Sequence, residues 1–247
     1  EVCSSALRIS AAFTGNTSDN GIHANGGAPS YYGSAAVTNA QSNLLSAGSA
    51  TVTNSSITTT VDGTNTFKGS LSHSNNAIDA TTQGSAASNS LVFADGISIA
   101  GDSSLHGLGL QTTNATGSIV ANAIGDLVVL NVQSNFTLVP FSSSITGSAI
   151  AAQVNALSDA GTSVTVSDNQ MQASSGGNRS GNAASASGAS FNAFTSVGKQ
   201  QANYATPISA TISTPLVGAY MAGTANSLGT ATVSDNSLGA SANGNQA

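Results

Sequence analysis

Short runs that alternate apolar or small residues with polar ones recur along the chain. Thr51-Val52-Thr53, Ser163-Val164-Thr165-Val166, Thr230-Ala231-Thr232-Val233, Ile57-Thr58-Thr59-Thr60-Val61 and Ile208-Ser209-Ala210-Thr211-Ile212 all read this way. Period two sends alternate side chains to opposite faces, so each run predicts a short, half-buried strand. Asn, Asp or Gly bounds the first four runs, and these residues suit tight corners and left-handed backbone; Pro207 and Pro215 flank the last. Helix signals are poor, because β-branched residues and Gly recur while Glu, Lys, Arg and Leu are sparse. Residues 119–160 are more apolar, with Leu127-Val128-Val129-Leu130 followed by Phe136, Leu138, Val139, Pro140 and Phe141. They predict an insertion or a thicker part of the same body. Residues 204–223 are also richer in large groups.

A seven-residue phrase ties the strands together. It reads Ser18-Asp19-Asn20-Gly21-Ile22-His23-Ala24, then Ser74-Asn75-Asn76-Ala77-Ile78-Asp79-Ala80. It returns as Ser167-Asp168-Asn169-Gln170-Met171-Gln172-Ala173 and Ser234-Asp235-Asn236-Ser237-Leu238-Gly239-Ala240. Self-similarity of this kind is the mark of a repetitive architecture. The phrase fits a strand, a corner and a second strand, with Asn20, Asn76, Asn169 and Asn236 at the corners. A further break is expected at Gly176-Gly177-Asn178 and at Asn243-Gly244-Asn245, which makes Asn178 and Asn245 second corners. The Asn markers are 56, 93 and 67 residues apart. The last two intervals approximate multiples of ~22–23, a plausible two-strand unit; the first does not. The expected fold is all-β and β-solenoid-like, or a solenoid mixed with a sandwich. It would form one elongated domain over residues 1–247.

Composition narrows the function. Charged residues make up 6% of the 247-residue chain and hydrophobic ones 39%, and 27 residues are Gly. Low charge with abundant small polar residues suits either a flexible tract or stacked β-layers; the apolar strands favour layers. The net charge is −6, and Arg8, Lys68, Arg179 and Lys199 are scattered. Nucleic-acid binding needs clustered cations, so that partner is set aside. No stretch approaches the ~20 apolar residues of a membrane span. The chain starts at Glu1, as removal of a signal peptide would leave it. Cys3 is the single cysteine, so no internal disulfide forms, and an intermolecular bridge or an incidental buried thiol remains.

Catalytic and metal-binding patterns are thin. His23, His73 and His106 are far apart and read as lone surface residues, and the carboxylates occur singly. Asp168 and Asp235 recur at corners, where their backbone preferences suffice. No metal or cofactor is expected. The triplets starting at Asn16, Asn54, Asn114, Asn135 and Asn178 are glycosylation sequons of the kind that chance supplies here. Tyr31-Tyr32 is a packed or contact pair, or a carbohydrate platform.

The stretch Ser167–Asn182, echoed at Ser74–Asn89 and Ser234–Ala247, resembles bacterial secreted fibre proteins of the curlin and functional-amyloid kind, including holdfast-anchor proteins. The resemblance covers about a quarter of the chain. It lacks curlin's regular paired Gln positions and even spacing. It implies secretion to the cell surface, self-assembly, and a role in adhesion or biofilm matrix. The last repeat stops at its second break, which suggests a polymerisation edge carrying Val233, Leu238, Ala240 and Asn245. Such an edge would pair with another copy head to tail. The alternatives are a β-helical adhesin or an ice- or glycan-binding module with surface glycans as partners, and then a polysaccharide-degrading enzyme.

Overall fold

The computed structural model describes residues 2–24, 30–32, 35–45, 47–63, 66–93, 98–100, 109–113, 120–155, 157–158, 161–186, 191–192, 194–221 and 229–246. Among these residues the protein is all-β. The first pass of the chain comprises β1 (Val2–Ser5), β2 (Arg8–Ala24), β3 (Ser30–Tyr32), β4 (Ala35–Leu44), β5 (Gly48–Thr53), β6 (Ser56–Val61) and β7 (Thr66–Phe67). The second comprises β8 (Ser70–Ser74), β9 (Ala77–Phe93), β10 (Ser98–Ala100), β11 (Gly109–Thr113), β12 (Val120–Ile124), β13 (Leu127–Phe136), β14 (Phe141–Thr146), β15 (Ala149–Val154) and β16 (Leu157–Ser158). The third comprises β17 (Ser163–Ser167), β18 (Gln170–Ala186), β19 (Phe191–Asn192), β20 (Thr195–Tyr204), β21 (Ile208–Ser213) and β22 (Leu216–Met221). β23 (Thr230–Ser234) and β24 (Ser237–Gln246) begin a fourth.

Each strand pairs in parallel with its counterparts in the neighbouring passes. The sheets are β1-β8-β17-β23, β2-β9-β18-β24, β4-β13-β20, β5-β14-β21 and β6-β15-β22, with smaller sheets β3-β10-β19 and β7-β16. Among the described residues only β11 and β12 pair antiparallel. Val2 stands beside Leu71, Leu71 beside Val164, and Val164 beside Ala231. Successive passes are therefore 69, 93 and 67 residues long at this column, and each holds at least six strands instead of two. The longer middle pass has one cause. Between β3 and β4 lie two residues, whereas β10 and β13 are separated by the segment that holds the β11–β12 hairpin.

That hairpin lies against β13, and it changes the sequence it covers. Val128, Leu130 and Val132 point away from the pass interior and are nonetheless fully buried. Their counterparts are Ala36, Thr38 and Ala40 in the first pass and Ser196, Gly198 and Gln200 in the third. The apolar stretch expected as an insertion at 119–160 is thus mostly regular: residues 127–158 are ordinary strands of the second pass, and the inserted part is the hairpin before them.

Within each pass the chain runs out along one layer and back along another, with β4 and β5 packed against β2 and β9. The space between layers is filled in zones. Val52, Ile57, Ile78, Ile145, Ile150 and Met171 form one apolar cluster. Leu71, Val154, Val164 and Val166 form a second, and Val37, Leu91, Phe93, Leu127 and Val129 a third. Between the first and third lies a zone of buried amides, including Asn43, Asn135 and Gln133.

The strands β2, β9, β18 and β24 share one irregularity that explains this zoning. Their register passes over Gly15, Gly84, Gly177 and Gly244. In β9 the core-facing positions are Ile78, Ala80 and Thr82 before Gly84, and Ser85, Ala87, Asn89, Leu91 and Phe93 after it, while Asp79 is buried on the other face beneath Arg8. The glycine column is a bulge that slips the inward face by one residue. A Cβ on Gly84 would lie 2.6 Å from the Gly177 carbonyl oxygen, and one on Gly177 would lie 2.4 Å from that of Gly244. Backbone fills the place of a side chain, so only glycine stacks here. Replacing Gly84 with Ala is expected to destabilise the fold by about 1–3 kcal/mol, the range for overpacking. Chemical denaturation measures this, and the nearby control Ser88→Ala, at an exposed position, should be close to neutral.

Candidate functional site: amide columns and strand edges

The repeated phrase makes a corner with two separate jobs. Its second residue takes left-handed backbone: φ is 59° at Asn75, 57° at Asp168 and 52° at Asp235. Asn and Asp adopt that region most readily after glycine. The third residue turns its side chain along the stacking direction. The Asn76 backbone N–H donates to Asn169 Oδ1 at 2.9 Å, and Asn76 Nδ2 donates to the same oxygen at 2.9 Å. Asn169 repeats both bonds onto Asn236 Oδ1, at 3.0 and 2.8 Å. Each Asn thus satisfies the corner amide of the pass before it, a group the strand ladder leaves over.

Asn20 does not belong to this column. It lies within β2 beside Asn89, and the first-pass corner is Ser5-Ala6-Leu7, with Ala6 at φ 55°. Leu7 offers no amide, but its N–H still donates to Asn76 Oδ1 at 3.1 Å. Asn20 heads a second column, in which Nδ2 of Asn20 donates to Asn89 Oδ1 and Nδ2 of Asn89 to Asn182 Oδ1, at 3.1 and 3.0 Å. Asn178 and Asn245 are not corners either. β18 and β24 run straight through them just after the glycine bulge, and both face the opposite layer. Asn135 donates to Asn178 at 3.0 Å, and Asn178 and Asn203 both donate to Asn245 Oδ1 at 3.0 and 2.8 Å.

The facing layer carries columns that the sequence pattern did not reveal. Asn43 donates to Asn135 and Asn135 to Asn203, each at 2.7 Å. Gln201 donates to Gln133 and Gln133 to Gln41, at 2.7 and 2.8 Å. Buried primary amides are tolerable because each finds a partner in the next pass. A third column is interrupted. Asn39 donates to Asn131 at 2.7 Å, but the next position is Lys199 and the buried Asn131 Nδ2 has no acceptor.

The residues expected at a polymerisation edge are on the outermost strands described. Val233 is in β23 and Leu238, Ala240 and Asn245 are in β24, and these strands pair on one side only, with β17 and β18. Val233 and Leu238 are each 49% exposed, while their in-register neighbours Val166 and Met171 are fully buried.

No group of three His, Cys, Asp or Glu gathers among the described residues. An open depression of about 690 Å³ on the β2-β9-β18 side is lined by small and polar residues together with Asp19 and Arg179. His73 is not the surface residue expected from the sequence. It is fully buried, in a column shared with Val166 and Val233; its Nδ1 lies 2.9 Å from Thr59 Oγ1 and its Nε2 has no partner. His106 and the side chains of Cys3, Tyr31 and Tyr32 lie outside the described residues. Of the sequons, Asn16, Asn135 and Asn178 engage their side chains in interlayer bonds, whereas Asn54 is exposed at a corner; Asn114 lies outside the described residues.

No protein-family model, curated protein or solved structure matches the chain.

Two variants test this site. Lys199→Asn supplies the acceptor that Asn131 lacks, and is expected to stabilise by about 1 kcal/mol, or to raise Tm by ~2–4 °C in thermal unfolding. Burial pushes the His73 pKa below 6.5, partly offset by the Ile57 backbone. The unfolded chain therefore binds this proton more readily than the folded one. Stability should be constant well above pH 6.5 and fall as the pH drops below it. His73→Val, which matches Val166, should flatten that acid limb in unfolding measured between pH 4 and 8.

Proposed function

We propose that this chain is a structural subunit of an extracellular filament. It is a β-solenoid whose subunits join head to tail by adding strands to one another, and it serves adhesion or a biofilm matrix. The observation that carries this reading is the in-register parallel stack itself, continued by side-chain amide columns up to strands that pair on one side only. A parallel edge accepts any strand of matching length and pattern, and β1–β2 and β23–β24 present the same pattern at opposite ends of the sheets. Edges that must stay apart are normally guarded by charge. β24 carries no charged residue, and β23 none. A head-to-tail contact of this kind does not close on itself, so it extends into a fibre.

A second reading has its own observation. The outward side chains of β5, β14 and β21 form three columns of hydroxyls: Ser49, Ser142 and Ser209; Thr51, Ser144 and Thr211; Thr53, Thr146 and Ser213. Strand spacing sets them about 4.8 Å apart across the sheet. A regular hydroxyl face of this kind suits a neutral glycan or ice surface.

Negative-stain microscopy separates the two. The full chain should form long, uniform fibres. A chain lacking residues 231–247 should keep its β-rich circular dichroism and form none. Normal fibres from the truncation, or a monodisperse full chain that binds polysaccharide, would contradict the filament reading.

A further inference from the structure

The corners between β4 and β5, β13 and β14, and β20 and β21 carry an apolar ridge. Leu44, Phe136 and Tyr204 are in register, one above another, and point outward at the ends of β4, β13 and β20. Leu45 follows in the first pass, and Leu138 and Val139 follow in the second, where the corner is one residue longer. All six are exposed, Leu45 and Leu138 to 69% and 75%. The next corners along each pass, between β5 and β6, β14 and β15, and β21 and β22, expose Asn54, Gly147 and Thr214, so large side chains are not what a corner of this fold requires.

We infer that this ridge is a lateral docking surface for a second copy of the same chain, side by side and two-fold related. It differs from the axial contacts proposed above, which use strand edges at the ends of the stack. Two observations select a second copy as the occupant. The first is area. Six half-exposed large side chains present roughly 600 Å² per molecule, at the upper end of what a monomer leaves exposed in one patch. Mating two ridges buries about 1,200 Å², the lower bound of specific interfaces. The second is charge. The chain has ten acidic and four basic residues, and the returning layers at 35–61, 127–155 and 195–221 contain Lys199 alone. Lys199 is exposed but stands in the column of Asn131, on the face of β20 opposite the ridge residue Tyr204. Two such surfaces meet without like-charge repulsion. They also offer no cationic rim for a lipid headgroup or a phosphate-rich partner. Because the ridge runs in one line along the stacking direction through three passes, a two-fold axis across it sets each ridge against its copy, as an isologous contact requires.

Sedimentation velocity on the full chain, below any fibre-forming concentration, provides the test. The expected result is a concentration-dependent monomer–dimer equilibrium that Leu138→Asp with Val139→Asp weakens by at least ~10-fold, since two buried charges face an apolar partner. Both positions are exposed corners, so circular dichroism and Tm should stay those of the parent. As an independent readout, Leu138→Cys in a Cys3→Ser background should cross-link to itself under mild oxidation, while Ser88→Cys in the same background should not. A parent chain that remains monomeric, a double variant that still dimerises, or ridge-dependent binding to phosphatidylcholine vesicles in place of pairing would overturn the proposal.

Discussion

The whole structure depends on hydrogen bonds that run along the stacking direction. In a parallel stack every backbone N–H and C=O of a strand is satisfied by the passes on either side. At some corners, such as Asn54 and Gly147, the ladder carries through the turn, but at the corner after β1, β8 and β17 the N–H of Leu7, Asn76 and Asn169 finds no backbone carbonyl and takes a side-chain acceptor. Here the Oδ1 of Asn76, Asn169 and Asn236 closes that gap by accepting from the backbone N–H of the previous pass, and Nδ2 of Asn76 and of Asn169 donates onward to the next Asn. The same logic admits Asn and Gln into the interior. A primary amide has a donor and an acceptor on opposite sides, so stacked copies satisfy one another at the strand spacing. Polar interior and in-register stacking require each other.

Passes of unequal length follow from this. What must repeat is the position of a side chain relative to its neighbours above and below, and the spacing in sequence is free. The middle pass accommodates a hairpin outside the stack without disturbing any column, since Asn43, Asn135 and Asn203 stay aligned on both sides of it. The glycine bulge is the opposite case: it cannot vary, because the carbonyl of the next pass occupies the space of its Cβ. One constraint tolerates insertion, and the other tolerates no added atom.

These two facts explain what could be read from the sequence. The strands around Val52, Val164, Ile208 and Val233 were legible because alternation is local. The corners at Asn76, Asn169 and Asn236 were legible because left-handed backbone and amide capping both demand Asn or Asp. Asn20 misled because a column inside a strand selects the same amide. The true first corner, Ser5-Ala6-Leu7, has neither residue to announce it. Gly177 and Gly244 stood out as breaks, yet their role is a phase slip within a strand, visible only once Gly15 and Gly84 are beside them. The Gln41–Gln133–Gln201 column and buried His73 gave no local signal, because their in-register neighbours are 68 to 93 residues away.

The most direct measurement is of the corner column in the folded protein. With selective ¹⁵N and ¹³C labelling, NMR should detect contacts from the Asn169 side-chain amide to both Asn76 and Asn236, at the hydrogen-bonding distances found here, and none to Asn20. Contacts between Asn169 and Asn20, or an Asn169 amide exchanging freely with water, would contradict in-register stacking and the assembly built upon it.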